Sequence, residues 1–244
     1  MPIEIDANLR CYSQDEFGRV AYNVMGHVFA IHNEMGRFFN ESIYRNALAR
    51  RIGDQGRSEV LIKVQFDDFS FKYFLDLLVC EGAVFELKVA SQLTARHRAQ
   101  LVNYLLLCEL NHGKLINFRP EKVEHEFLNT SLTRAERTNF QVDDQSRLER
   151  DFVMWFIAFL RDVGTCLELQ LYEQAASYFF GGDDVVVQTI EIGKLGRQKI
   201  RLTSHDLGAS YLRITVRSSG AGGSTHASFR CPDQISGHSL DQYR

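Results

Sequence analysis

Residues 71–89 (FKYFLDLLVCEGAVFELKV) constrain the fold most, because charged side chains interrupt two otherwise apolar stretches. These stretches predict two strands, and the three-residue loop that ends at Gly82 predicts a hairpin closed by a left-handed residue. Asp76, Glu86 and Lys88 stand in mid-strand. Charged groups among buried strand residues are costly unless they are paired or bind a metal. The segment therefore predicts a β-hairpin that carries a polar site.

The register of this hairpin brings the charged residues together. If Val79 pairs with Ala83 across the loop, Asp76 lies opposite Glu86, with Cβ atoms about 4.5–5.5 Å apart. Carboxylates this close repel each other, and a divalent cation between them removes the conflict. Oxygen ligands suit Mg²⁺ or Mn²⁺. Lys88 shares the face of Glu86 and could orient or deprotonate a water, or stabilise charge on a phosphate. The alternative is the polar face of a half-exposed hairpin.

Two predicted helices could extend this site. The helix after the second strand carries Gln100 and Tyr104 one turn apart, with Arg96 a turn earlier on the same face. In an upstream helix, Glu41 and Arg45 likewise share a face, so that Glu41 could supply a third carboxylate. The alternative for both helices is an ordinary solvated surface.

The pattern D-x(9)-E-x-K followed by Q-x-x-x-Y resembles the PD-(D/E)XK nuclease superfamily, in the branch with a Q-x-x-x-Y helix. More narrowly, residues 14–128 resemble the bacterial GxxExxY protein family, which is grouped with that superfamily. The matching pieces keep the order and spacing of that family: 31–36 (IHNEMG), 39 (F), 41–44 (ESIY), 47–48 (AL), 76–79 (DLLV), 86–88 (ELK), 99–105 (AQLVNYL) and 115–118 (LINF). The chain departs from the pattern at two positions, where Phe38 replaces the name-giving glycine and Leu75 replaces a proline.

The resemblance implies a role for each matching residue. It implies that Asp76, Glu86 and the main-chain carbonyl of Leu87 hold Mg²⁺ or Mn²⁺, and that Lys88 acts on the attacking water. It also implies that Glu41 and Gln100 complete the catalytic site and that Tyr104 supports it. Nucleic acid, DNA in the first place, is the implied substrate, and a basic rim with Arg45, Arg96 and Arg98 would contact it.

The order of predicted elements, α-α-β-β-β-α-β, indicates an α/β fold with a mixed sheet flanked by helices. We predict a PD-(D/E)XK nuclease-like domain at residues 1–129 and a smaller α+β domain, a helix pair plus strands, at residues 130–217. Residues 218–244 are predicted to be a flexible linker and tail.

The two halves of the chain share a short pattern at their helix–glycine–helix junctions. Three residues recur 128 positions later: Gly36, Tyr44 and Ala47 return as Gly164, Tyr172 and Ala175. The second half has no D…ExK pattern, and Leu169 stands where Glu41 would recur. The second domain is therefore either a degenerate duplicate of the first or a second helix pair with similar caps.

Composition narrows the classes of function. With 28 Lys and Arg against 31 Asp and Glu, the net charge of −3 excludes a strongly basic nucleic-acid coat, so nucleic-acid contact must be local and weak or partner-assisted. Five scattered cysteines without C-x-x-C fit neither a disulfide framework nor a zinc site. No apolar run reaches the ~18–20 residues of a membrane span, and the N-terminus lacks a signal-peptide core. We expect a cytoplasmic protein without membrane contact.

Two functions fit these observations. One is a metal-dependent nuclease, and the other is a catalytically silent interaction or regulatory module that has kept the fold. The acidic balance and the second half without motifs favour the module, whereas the complete D…ExK set favours the nuclease. A homodimer or a protein partner bound through residues 130–217 would be compatible with either.

Overall fold

Two units divide the chain, Met1–Arg134 and Ala135–Arg244. A computed structural model describes residues 2–143, 150–182, 187–191, 197–201, 212–216 and 225–229. In the described part of the first unit the elements are β1 (Ile3–Ile5), α1 (Gln14–Met35), α2 (Glu41–Ile52), β2 (Gly56–Phe66), β3 (Phe69–Val79), β4 (Ala83–Lys88), α3 (Ala95–Cys108), β5 (His112–Asn117) and β6 (Glu124–Asn129). None of the helices in the described ranges is long and apolar enough to cross a membrane.

One six-stranded sheet organises the first unit, with the strands in the order β1-β2-β3-β4-β5-β6. The pair β4–β5 is parallel and every other neighbouring pair is antiparallel. A parallel pair requires a crossover, and α3 provides it between β4 and β5. This architecture confirms the predicted α/β fold with a mixed sheet flanked by helices.

The first two helices pack their apolar stripes against this sheet. The side chain of Ser13 caps α1 by accepting a bond from the backbone N–H of Glu16, whose carboxylate accepts one from the backbone N–H of Ser13. The buried face of α1 joins Tyr44 and Leu48 of α2 in the core. The sheet contributes apolar residues of β3, β4 and β5 to the same core, including Leu77, Phe85, Leu87 and Ile116. Burial of this stripe fixes α2 close to β3 and β4.

The β3–β4 hairpin has the predicted register but a different turn. Val79 pairs with Ala83, as expected. The left-handed residues are Cys80 (φ 50°) and Glu81 (φ 64°), so the prediction of a left-handed closing residue at Gly82 is wrong. Gly82 is required by close packing instead, because a Cβ atom there would lie 2.1 Å from the carbonyl oxygen of Arg10.

Adding one methyl group at Gly82 should therefore destabilise the first unit. We expect Gly82→Ala to lower the free energy of unfolding by about 3 kcal/mol, because the carbonyl of Arg10 belongs to the backbone and cannot rotate away. Gly26→Ala is the matched control: Gly26 lies inside α1, and a methyl group there would have no neighbour within 4 Å, so alanine should stabilise that helix by about 0.5–1 kcal/mol. Urea unfolding followed by circular dichroism measures both, and equal effects would contradict the packing argument.

Two strands of the sheet are absent from the sequence-based prediction. β1 has three residues, and β6 reads EHEFLN with alternating exposure, so neither has the apolar signal of a strand. Both lie at the edges of the sheet, where charged residues discourage pairing with other chains. Edge strands of this kind are recognisable only after the neighbouring strand is placed.

The second unit is described in part. Its elements are α4 (Arg134–Thr138, which starts at the division), β7 (Phe140–Asp143), α5 (Arg150–Val163), α6 (Leu169–Phe179), β8 (Val187–Glu191), β9 (Arg197–Arg201), β10 (Leu212–Val216) and β11 (Thr225–Phe229). The strands form a sheet of order β11-β10-β7 and a pair β8-β9. The strand β11 lies within the residues predicted to be a linker and tail, and the domain bounds given above stay a prediction. The start of the predicted linker and tail, residues 218–224, lies outside the described residues.

The helix junctions of the two units share the same hydrogen bonds. In the first, the hydroxyl of Tyr44 donates to the carbonyl of Gly36 at 2.7 Å and accepts a backbone bond from Phe39 at 3.3 Å. In the second, the hydroxyl of Tyr172 donates to the carbonyl of Gly164 and accepts from the backbone of Leu167, both at 2.9 Å. Gly36 and Gly164 both have positive φ and follow the last residue of their helix. The recurring tyrosines thus perform the same structural task 128 positions apart.

Candidate active site

The strands β3 and β4 separate at Asp76 and Glu86. Pairing runs from Val79↔Ala83 to Leu77↔Phe85, and Asp76 and Glu86 would be the next pair. The carboxylate of Asp76 fills the gap, because its Oδ2 accepts a hydrogen bond from the backbone N–H of Leu87 at 2.9 Å. Asp76 is therefore held at the fork by a backbone group of the opposite strand.

The same fork directs the carbonyl of Leu87 towards Asp76. The carbonyl of Lys88 accepts a bond from the backbone N–H of Phe118, on the β5 side. Successive carbonyls of a strand alternate between its two edges, and the N–H and C=O of one residue share an edge. The carbonyl of Leu87 consequently lies on the β3 edge, where its own N–H already meets Asp76.

Two cations accompany the two carboxylates. Nη1 of Arg45 donates to Oδ1 of Asp76 at 3.0 Å, and Nη2 of the same residue donates to Oε1 of Glu59 at 2.7 Å. Nζ of Lys88 donates to Oε1 of Glu86 at 2.6 Å and lies 3.9 Å from Oε2 of Glu41. Glu41 and Arg45 come from one turn of α2, and the other groups come from neighbouring positions on β2, β3 and β4.

Glu86 is the most deeply buried charged group of the site, with 1% of its surface exposed. Its Oε2 atom is buried and has no hydrogen-bond partner among the described residues. Burial, with the negative charge of Asp76 second, raises the pKa of Glu86 to about 8, although Lys88 acts in the opposite direction. Among the described residues, no hydrogen bond to Oε2 of Glu86 offsets the cost of burying its negative charge.

The two flanking groups are perturbed by the same surroundings. Burial raises the pKa of Glu41 above its usual value, with Asp76 contributing and Lys88 and Arg45 opposing. Burial lowers the pKa of Lys88, but the bond to Glu86 and the charges of Glu86, Glu41 and Asp76 outweigh it, so that the pKa is raised overall. The ammonium form of Lys88 is therefore favoured, and it can donate hydrogen bonds.

The charges of this group are unbalanced. The carboxylates of Glu41, Glu59, Asp76 and Glu86 exceed the cations of Arg45 and Lys88 by two when all are ionised. The described residues contain no cluster of three or more His, Cys, Asp or Glu side chains arranged to hold a metal. Asp76, Glu86 and the carbonyl of Leu87 are a smaller, all-oxygen set, and the partnerless Oε2 of Glu86 offers a lone pair to a hard divalent cation. These residues fit such a cation.

The α3 residues of the predicted site form a separate contact. Nε2 of Gln100 donates to the hydroxyl of Tyr104 at 2.9 Å, and the Tyr104 ring packs edge-on against Tyr73. No hydrogen bond joins Gln100 to Asp76 or Glu86 in the described part of the chain. The structure therefore brings Gln100 and Tyr104 together, as the sequence predicts for one face of α3.

The three arginines predicted to contact nucleic acid differ in their surroundings. Arg45 lies inside the site, paired as described above. Nε and Nη2 of Arg98 both donate to the carboxylate of Glu126 at 2.6 Å, which forms a bidentate pair. Arg96 is exposed on the first turn of α3. Arg45 and Arg98 are thus paired with carboxylates, and the contact of all three arginines with nucleic acid stays a prediction.

Two further residues of the site are absent from the sequence-based prediction. Glu59 falls opposite Asp76 in the register of β2 with β3. The turn at Asp67 and Asp68 sets this register, so the position of Glu59 could have been predicted from the sequence. His97 and Thr94 together cap the start of α3. Burial, followed by the positive charge of Lys88, lowers the pKa of His97. Its proximity to Lys88 has no sequence signal.

Comparison with known proteins bears on the first unit. A search of curated proteins found no match. A solved structure described as "Crystal structure of SSO0001" shares 21% identity, covers 49% of this chain and 65% of that chain, and has a TM-score of 0.32. This chain thus spans less than two thirds of the length of that protein. A family model, by contrast, matches residues 18–129. These residues, which contain Asp76, Glu86 and Lys88, match the PD-(D/E)XK nuclease superfamily.

Proposed function

We propose that the first unit is a divalent-metal-dependent nuclease that hydrolyses phosphodiester bonds of nucleic acid, DNA in the first place. The observation that carries the proposal is the buried, partnerless Oε2 of Glu86 beside Asp76, at the fork of a sheet within the segment that matches a nuclease superfamily. When all of its carboxylates are ionised, the group has an excess of two negative charges, which matches a divalent cation better than a monovalent one. Mg²⁺ and Mn²⁺ are the proposed ions because all candidate ligands are oxygen atoms.

The proposed roles follow from the contacts. Asp76, Glu86 and the carbonyl of Leu87 would hold the metal, which would lower the pKa of a water and withdraw charge from the phosphate. Lys88 has three N–H donors and uses one on Glu86, so it can donate another to the attacking water or a phosphate oxygen. Glu41 keeps the Lys88 ammonium at the site. Gln100 and Tyr104 would support the site from α3, and Arg96 would contact the nucleic acid backbone.

A second candidate function is a catalytically silent module with the same fold. The observation in its favour is that Arg45 and Lys88 already pair with Asp76 and Glu86 in the structure. Each cation offsets the cost of burying its carboxylate, so the fold can persist without any metal. The two functions differ in whether this site, with a metal ion bound, hydrolyses nucleic acid.

For the remainder of the chain we propose a supporting role. The second unit would be a degenerate duplicate of the first, since its helix junction repeats the tyrosine contacts while Leu169 replaces Glu41. It would serve a homodimer or a protein partner. The GxxExxY branch is proposed from the motif pieces around Glu41 and Tyr44. A cytoplasmic location is proposed because the described cysteines, Cys11, Cys80, Cys108 and Cys166, are all free.

The direct test is cleavage by the full chain with and without metal. We expect labelled DNA to be cut with Mg²⁺ or Mn²⁺ and to remain intact with EDTA, with RNA cut more slowly. The Asp76→Asn protein, purified in the same way, reports any contaminating nuclease. Metal-dependent cutting of DNA by the wild type alone supports the nuclease. If neither protein cuts any substrate although the wild type binds metal, the silent module is the better account.

A further inference from the structure

Arg45 is a largely enclosed cation shared between a buried acid, Asp76, and an exposed acid, Glu59. Its side chain is 14% exposed, and its two terminal nitrogens bond Asp76 and Glu59 separately. Its third nitrogen, Nε, is buried without a hydrogen-bond partner among the described residues. A guanidinium this enclosed depends on its two carboxylate partners to replace lost hydration. Arg45 can therefore give up its bond to one of these carboxylates only while it keeps its bond to the other.

Glu59, the second acid paired with Arg45, has a backbone conformation that non-glycine residues seldom adopt. It lies within β2 at φ 54°, in the left-handed region that non-glycine residues avoid. The ladder of β2 with β3 pairs Ser58 with Leu77 and Val60 with Leu75 but omits Glu59 with Asp76. A strained residue persists where the surroundings hold it, and strain of this kind concentrates at functional sites. The side chain of Glu59 accepts its hydrogen bond from Nη2 of Arg45.

We propose that Glu59 is a positioning residue that makes Arg45 an exchangeable internal counter-cation for the metal site. In the metal-free protein Arg45 occupies Oδ1 of Asp76. When a metal binds Asp76, Arg45 leaves that oxygen and remains paired with Glu59. The inference rests on the proposed function, because it requires Asp76 to be a metal ligand.

The exchange makes opposite predictions for the two residues. A metal ion and Arg45 compete for Oδ1 of Asp76, so removal of Arg45 should tighten metal binding. Without Glu59, Arg45 would lose its last anionic partner when the metal arrives, so removal of Glu59 should weaken metal binding. The effect of Glu59 should exist only while Arg45 is present.

The test is a double-mutant cycle on the Kd for Mn²⁺, measured by calorimetry on the full chain in about 0.3 M salt to screen distant charges. We expect Arg45→Met to bind Mn²⁺ about tenfold more tightly and Glu59→Gln about fivefold more weakly than the wild type. The double variant should bind as tightly as Arg45→Met. Glu34→Gln is the matched control, because Glu34 of α1 pairs with Arg51, which lies in α2 as Arg45 does. The Kd of this variant for Mn²⁺ should equal that of the wild type.

Each contrary outcome has a distinct meaning. If Glu59→Gln weakens binding equally with and without Arg45, Glu59 acts only as a distant negative charge, and the inference fails while the metal site stands. An unchanged Kd in Glu59→Gln alone also overturns it, even if Arg45→Met does not fold. If neither the wild type nor Arg45→Met binds Mn²⁺, the proposed function and the inference fail together.

Discussion

The Glu86→Gln protein should lose metal binding and DNA cleavage together, yet be at least as stable as the wild type in EDTA. Glutamine has the shape of a protonated carboxyl group, and its amide oxygen can still accept the bond from Lys88. It cannot supply the negative charge that a divalent cation requires at the buried Oε2 position. We expect the cleavage rate to fall by at least about 10³-fold.

The pH dependence of stability provides the second readout for this variant. The folded protein holds the Glu86 proton up to about pH 8, whereas the unfolded chain releases it near 4.5. The stability that this proton contributes is complete below pH 4.5 and is lost as pH rises through about 8. In EDTA, the wild type should therefore lose roughly 2–4 kcal/mol over this interval relative to Glu86→Gln.

Urea unfolding at several pH values, together with metal titration, measures these effects. Glu121→Gln, at an exposed position outside the site, is the control and should follow the wild type. A Glu86→Gln protein that still binds Mn²⁺ with the affinity of the wild type would exclude Glu86 as a metal ligand. A large loss of its stability in EDTA at pH 8 would show that the carboxylate serves mainly the fold.

The Lys88→Met protein should retain metal binding and lose turnover. Methionine keeps much of the apolar stem of lysine but removes the donor that contacts Glu86 and faces Glu41. Loss of one donor to a charged transition state typically reduces kcat by about 10²–10³-fold. The Kd for Mn²⁺ should change little, because Lys88 is not a proposed ligand.

Single-turnover cleavage and calorimetry separate these two effects. Lys122→Met, an exposed lysine outside the site, is the matched control and should cleave at the wild-type rate. Full activity in Lys88→Met would refute the proposed role of Lys88. A parallel loss of metal affinity and cleavage would instead indicate that Lys88 acts by fixing Glu86.

The hairpin shows what the sequence can predict about this site. The loop length is enough to pair Val79 with Ala83, and the pairing is enough to bring Asp76 to Glu86, because strand register is local and discrete. Charged residues within apolar strands are also a local signal, and Asp76, Glu86 and Lys88 mark the candidate site in this way. Local rules of this kind need no knowledge of the rest of the fold.

The remaining features depend on contacts that are distant in the sequence. Arg45 is predicted to contact nucleic acid, yet the packing of α2 turns it towards Asp76 and Glu59. Gly82 is conspicuous in the loop, but its cause is the close approach of Arg10 rather than a left-handed turn. Long side chains and packing against remote segments leave no periodic signal in the sequence.

The most direct test of the metal site is anomalous diffraction from crystals of the full chain soaked in Mn²⁺. We expect a peak within about 2.5 Å of Oε2 of Glu86, an oxygen of Asp76 and the carbonyl oxygen of Leu87, with Arg45 displaced from Asp76. The peak should be missing in Glu86→Gln crystals. A wild-type site without Mn²⁺, with Arg45 still bonded to Asp76, would show that this fork is not a metal centre.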